Sequence, residues 1–276
     1  MEPVAQSLAG RTAVARLFPF SYGELYGETA PASVNEMLYA GFYPGIHDQG
    51  LNPTEALSFY VSTYIERDVR QILAVSDMDR FETFLKLCAG RTGQLLNMQS
   101  LGGECGVTHN TIKSWLSVLQ ASGIIKLLRP WHANIGKRLV KSPKLYFMDT
   151  GLACFLIGIQ KPEHLSRHPL RGELFETFVV GEAFKQCAHA GLSDRFWFYR
   201  DSNGNEVDLL AEDGAQLSAW EVKSAMTLSS DFFKGLAVLE KNAAVKSKSI
   251  VYCGEKRTRR NDTEIVPWDH VDELFI

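Results

Sequence analysis

The sequence predicts a mixed α and β protein of the α/β class, on three observations. Apolar residues recur at helical spacing through residues 31–121. Two short strand-like runs bracket a basic segment within residues 124–148. Helix and strand then alternate over residues 171–276, an order that builds a sheet covered by helices. The chain has 276 residues, 45% hydrophobic and 22% charged, which suits a globular chain of more than one domain.

The formal charge is -3, so any nucleic-acid contact has to come from a local patch rather than from the total. The five cysteines, Cys88, Cys105, Cys154, Cys187 and Cys253, show no metal-ligand spacing and read as free buried thiols of a reducing compartment. No signal pattern opens the chain, and no apolar run reaches the ~18 residues of a membrane span. A cytoplasmic protein without a membrane partner is the expectation.

Taken in order, Ala13–Phe18 reads as a strand stopped by Pro19. One short strand cannot stand alone and has to pair elsewhere. Ser33–Tyr39 reads as a short helix that Tyr43-Pro44-Gly45 breaks. Pro53 opens a longer helix, Thr54–Leu73, with Leu57, Tyr60, Val61, Tyr64, Ile65 and Val69 on one stripe. Glu66, Arg67 and Asp68 beside it read as a solvated face. Phe81–Cys88 and Met98–Cys105 follow as helices. Gly106-Val107 makes a turn, and Thr108 caps a helix over His109–Ala121 that Gly123 ends. Ile124–Leu128 and Lys144–Met148 then read as strands. Helix, turn, helix and hairpin is the order of a winged helix-turn-helix.

From Thr108 to Phe147 the chain holds Lys113, Lys126, Arg129, Lys137, Arg138, Lys141 and Lys144 and no acid. His109, Asn110 and Lys113 open the recognition helix, where base edges and phosphates are met. Lys137, Arg138, Lys141 and Lys144 lie in or near the hairpin. These residues form the candidate nucleic-acid-binding set. Modules of this shape also serve as protein-docking or spacer domains, so a protein partner stays open.

After a short helix at Gly151–Ile157, a polar connection leads into the last domain. Its helix is Glu173–Ala190, followed by strands Phe196–Arg200, Glu206–Ala211 and Ser218–Ser224, helix Asp231–Leu239 and strand Lys248–Cys253. Alternate residues of a strand share a face. Glu206 and Asp208 therefore point one way, with Val207 and Leu209 opposite, and Glu221 and Lys223 share a face. A hairpin brings Asp208, Glu221 and Lys223 together, and Glu173 or Glu176 of the preceding helix completes the group. Close carboxylates repel unless a cation sits between them, and oxygen-rich sites suit magnesium or manganese. A surface hairpin carrying a single Glu–Lys pair is the alternative, worth little energetically.

Helix-Glu176, strand-Asp208 and strand-Glu221-x-Lys223 resemble the PD-(D/E)xK nuclease superfamily, with its restriction-endonuclease-like fold. The resemblance implies that Asp208 and Glu221 hold the metal, that Lys223 assists the attacking water and that Glu176 supports the site. Leu8-Ala9-Gly10-Arg11, Leu17-Phe18-Pro19-Phe20-Ser21, Tyr64-Ile65-Glu66-Arg67-Asp68-Val69, Lys144 to Leu152 and Gly204 to Asp208 resemble motifs of prokaryotic AAA-type ATPases that carry a C-terminal domain of unknown function. This likeness covers nearly the whole chain.

It implies four parts: a remnant of the ATPase domain at 1–25, a helical segment at 26–79, the winged helix at 80–148 and the nuclease-like domain at 149–276. Arg11 resembles a nucleotide-sensing arginine. The phosphate-cradling GxxxxGK[ST] is absent: Gly136-Lys137 is followed by Arg138, and Trp131 stands where the first glycine belongs. A truncated chain with no ATP binding or ATPase activity of its own is expected. Three functions compete: a metal-dependent nuclease that docks nucleic acid, a non-catalytic protein-interaction scaffold, and a regulatory fragment acting on an ATPase subunit.

Overall fold

The computed structural model describes residues 17–27, 29, 31, 33–64, 78–132 and 142–275. Most of the strand expected from Ala13, the end of the helix expected to Leu73, and Glu66, Arg67 and Asp68 lie outside these residues.

Local capping sets the first helices. Ser21 accepts from the Glu24 amide while Glu24 returns a bond to the Ser21 amide, which starts α1 (Tyr22–Tyr26). Ser33 caps α2 (Val34–Ala40), and Asn52 caps α4 (Pro53–Thr63). Between them lies α3 (Pro44–Asp48). Tyr43-Pro44-Gly45 was expected to be only a break. Pro44 instead takes the first helical position, where a missing N–H costs nothing.

Next come α5 (Met78–Ala89), β1 (Gln94–Leu95), α6 (Met98–Cys105) and α7 (His109–Ala121). Gly106, with φ 65°, ends α6 in the left-handed region, and Thr108 caps α7 through the Thr111 amide. Phe81 and Phe84 of α5 each pack against Trp115 of α7 with ring centroids 5.2 Å apart. Each such pair adds about 0.5–1.5 kcal/mol beyond its buried area. Strands β2 (Ile125–Pro130) and β3 (Lys144–Phe147) follow as an antiparallel pair.

The buried carboxylate of Asp149 caps α8 (Thr150–Leu156), accepting from Leu152 N at 2.7 Å. It also accepts from Phe42 N at 2.6 Å, which ties α8 to the end of α2. Only glycine fits at position 41 there, since φ is 66° and a Cβ would stand 2.5 Å from Asp149 Oδ1. A 3-10 turn at Pro162–Arg167 leads to α9 (Arg171–His189), whose apolar residues Phe175, Phe178, Val179 and Ala183 are buried.

The remaining elements are β4 (Phe196–Arg200), β5 (Glu206–Asp213), β6 (Gln216–Lys223), α10 (Lys234–Asn242), β7 (Val245–Tyr252), β8 (Thr258–Arg260) and β9 (Thr263–Pro267). The strands form one mixed sheet in the order β1-β3-β2-β4-β5-β6-β7-β9-β8. The join is the parallel pairing of Arg129 with Trp197 and Pro130 with Phe198. The basic segment's hairpin and the acidic segment's strands are therefore continuous. Leu209, Trp220, Val222 and Val251 pack in the core cluster that contains α9, and Val207, Leu210, Ala219 and Ile250 pack with Leu236 and Leu239 of α10. The fold is mixed α/β, as the sequence predicts. Phe175→Ala in the α9 layer would cost about 3–5 kcal/mol.

Candidate acid–lysine site

The site lies where β5 and β6 part. They pair from Leu209↔Trp220 to Asp213↔Gln216. Ahead of that, Trp197 pairs with Leu210 and Tyr199 with Val207, so Asp208 and Leu209 together face the single residue Phe198. This bulge breaks the period-two pattern. Val207 packs on the α10 side and Leu209 on the α9 side, not on one shared face as the alternation predicts. Asp208 Oδ2 closes the gap by accepting from Val222 N at 2.8 Å.

The structure brings the four predicted residues into one electrostatic neighbourhood. The Glu176 carboxyl is pushed up to about 7, first by burial and then by the charge of Asp208. Glu221 is held well above the ordinary carboxylate range by burial, then by Asp208. Burial works against charge on Lys223, but Asp208, Glu221 and Glu176 outweigh it and raise its amine. Lys223 Nζ lies 2.6 Å from Glu221 Oε1. Its side chain is 31% exposed and forms the open rim of the site. Among the described residues, the buried Glu221 Oε2 finds no hydrogen-bond partner.

Three members of the group were not predicted. Lys144 Nζ lies 2.8 Å from Glu176 Oε1 and 3.7 Å from Asp208 Oδ1, and it also pairs with Glu206. Its side chain is 3% exposed. Burial opposes its charge, but Tyr146, Glu176, Asp208 and Glu206 raise its amine well above the ordinary range. Tyr146 donates to Glu176 Oε1 at 2.5 Å, and burial followed by the Glu176 charge raises its phenol. Glu206 is shared with Arg200 Nη1 at 2.7 Å. The alternations Lys144-x-Tyr146 and Glu206-x-Asp208 were the available signals: each puts two polar groups on one face of a strand.

Lys144 therefore corrects one expectation. It belongs with the hairpin cations by sequence, yet its ammonium is buried and enclosed by acids. Lys126 is similarly engaged, 2.5 Å from Asp194. His109, Asn110 and Lys113 do stand exposed at the start of α7, as does Arg129 on β2. Lys137, Arg138 and Lys141 lie outside the described residues. Glu173 is not among the site's acids, and its Cβ would lie 3.2 Å from a Cβ at Gly93. All five cysteines are free and buried.

The arrangement also tests whether a divalent ion fits. Glu176, Glu206 and Asp208 place ligand oxygens within 4.8 Å of one another, but the Lys144 ammonium sits against all three. The buried carboxylate oxygen of the group without a hydrogen-bond partner among the described residues is Glu221 Oε2. Asp208 and Glu221 offer carboxylate oxygens of the kind magnesium or manganese takes.

Fold and site together define a mixed α/β protein with a buried acid–lysine cluster at the point where two strands diverge. Its residues 31–163 match the domain of unknown function DUF8612, and residues 171–271 match the domain of unknown function DUF4143. The uncharacterized proteins Rv2008c of Mycobacterium tuberculosis and Mb2031c of Mycobacterium bovis are each 30% identical to it over 98% of this chain. The chain spans 61% of the length of these curated relatives. Among the described residues no helix is long and apolar enough to cross a membrane.

Proposed function

We propose that this chain is the C-terminal part of an AAA-type ATPase of the cytoplasm, a winged-helix and nuclease-like unit that docks nucleic acid and cleaves phosphodiesters with one divalent ion. One observation carries the reading: Asp208, Glu221, Lys223 and Glu176 share one site where β5 and β6 part, and it leaves Glu221 Oε2 buried and unpartnered.

Asp208 and Glu221 would hold magnesium or manganese. The ion would polarise a phosphate oxygen and lower the pKa of a bound water. Lys223, whose side chain is 31% exposed, would donate hydrogen bonds that orient the attacking water. Glu176 has Oε1 engaged by Lys144 and Tyr146, so it acts as a positioning residue. It fixes the Lys144 ammonium and the Tyr146 phenol. His109, Asn110 and Lys113 meet phosphates or base edges from the exposed start of α7, the end that helix-turn-helix docking presents to a groove.

Incubation of the protein with plasmid and magnesium tests the reading. Cutting is expected from the wild type and lost in Asp208→Ala. Cutting that persists unchanged in that variant rules the site out. The second reading, a scaffold that binds protein, draws on the extent to which the site's charges already pair with one another. It predicts no metal uptake and an unchanged partner complex in Asp208→Ala.

A further inference from the structure

We propose that Lys144 is a built-in cation that takes the place of a second metal ion and limits this site to one. This deepens the metal-dependent reading above and rests on it. The starting point is the crowding of Glu176, Glu206 and Asp208, whose ligand oxygens lie within 4.8 Å of one another. Three carboxylates keep that spacing by holding a cation or a proton among them. Here the charge comes from the protein. Lys144 Nζ is 2.8 Å from Glu176 Oε1 and 3.7 Å from Asp208 Oδ1, and it pairs with Glu206.

The amine is enclosed where it stands. Lys144 lies on β3 between two neighbours, in register with Leu95 of β1 and Leu128 of β2. Its side chain is 3% exposed, and Nζ stands 5.7 Å from the centre of the Phe198 ring. Moving it away from the acids would leave a buried ammonium without its partners. A second sign that the group takes a ligand is Glu221 Oε2, which is buried and has no hydrogen-bond partner among the described residues. One position therefore holds an enclosed ammonium, and the other a buried carboxylate oxygen without a partner.

Lys144→Met keeps the length and the apolar stem but removes the charge. Manganese uptake is measured by equilibrium dialysis and elemental analysis of the full chain. The wild type is expected to take one ion and the variant two. Equal stoichiometry in the two proteins overturns the role of Lys144. Uptake of none by the wild type and one by Lys144→Met keeps that role and sinks the one-ion reading of the Asp208–Glu221 position, so the two failures are distinguishable. A variant that folds only when manganese is added gives the same support in another form. Wild-type crystals soaked in manganese decide the matter even when the variant does not fold. An anomalous peak among Glu176, Glu206 and Asp208 overturns the proposal, and its absence from that triad beside a peak at Glu221 supports it.

Discussion

The acids of α9, β5 and β6 and the polar residues at the start of α7 sit in one molecule on opposite physical terms. The acids are buried or half-buried, crowd one another and are held by Lys144 and Lys223. The α7 residues His109, Asn110 and Lys113 are exposed on a helix whose other face, with Ile112, Trp115 and Leu116, is core. The difference teaches that charge in a sequence has no fixed meaning. Lys113 and Lys144 belong to the same basic segment, yet one is a solvated cation and the other a structural counterion. Which it becomes depends on what the neighbouring strand or helix brings against it.

The sharpest way to break this contrast is to remove one charge from each region. Lys144→Met leaves acids buried without their cation, and breaking a buried pair in this way costs about 3–5 kcal/mol. Lys113→Met, on the exposed face, should change stability by no more than about 0.5 kcal/mol. Urea denaturation of both variants reads the difference. Similar values for the two would mean that Lys144 is not held as described.

Activity gives the next largest effect. Lys223→Met should retain the fold and lower plasmid cleavage by about 10²-fold or more, the scale of a lost group that orients or moves a proton. A rate within a factor of two would remove Lys223 from the mechanism.

Asp149 separates burial from crowding, since its partners are two backbone amides. Burial raises its carboxyl above the ordinary range, against the pull of the Leu152 and Phe42 amides and the charges of Lys185 and His47. A raised folded pKa contributes stability below the unfolded value of about 3.9 and loses it as pH rises through the folded value. Asp149→Asn loses an acceptor, a roughly constant cost of about 1–3 kcal/mol. It no longer titrates. The stability lead of the wild type over this variant should therefore shrink as pH rises from the unfolded value through the folded one. A lead that grows over that range would contradict the burial account.

The smallest effect belongs to the exposed face. Lys113→Ala should weaken nucleic-acid binding about equally across sequences and lower the salt slope by about one. Fluorescence anisotropy at several salt concentrations measures both. An unchanged slope takes Lys113 out of the interface.

The sequence made much of this legible, for reasons that differ by element. Thr108 and Gly123 bracket α7 because capping and helix termination are local, and α9 follows from its apolar spacing. Asp208, Glu221 and Lys223 were readable because strand alternation and a short turn act over few residues. The bulge at Asp208–Leu209 was not, since it depends on Phe198 of the neighbouring strand. Lys144 and Tyr146 stayed hidden as site residues for a related reason. They reach the acids only because β2 pairs with β4, a contact between segments more than sixty residues apart. Strands β1, β8 and β9 are short or flanked by polar turns, which hides their period.

The central claim is that Asp208 and Glu221 hold one divalent ion in a site otherwise neutralised by the protein's own lysines. Calorimetric titration of manganese into the wild type and Glu221→Gln tests it most directly. The account predicts one ion per chain in the wild type and loss of that binding in Glu221→Gln. A wild type that takes up no ion, or a variant that binds as well as its parent, would contradict it.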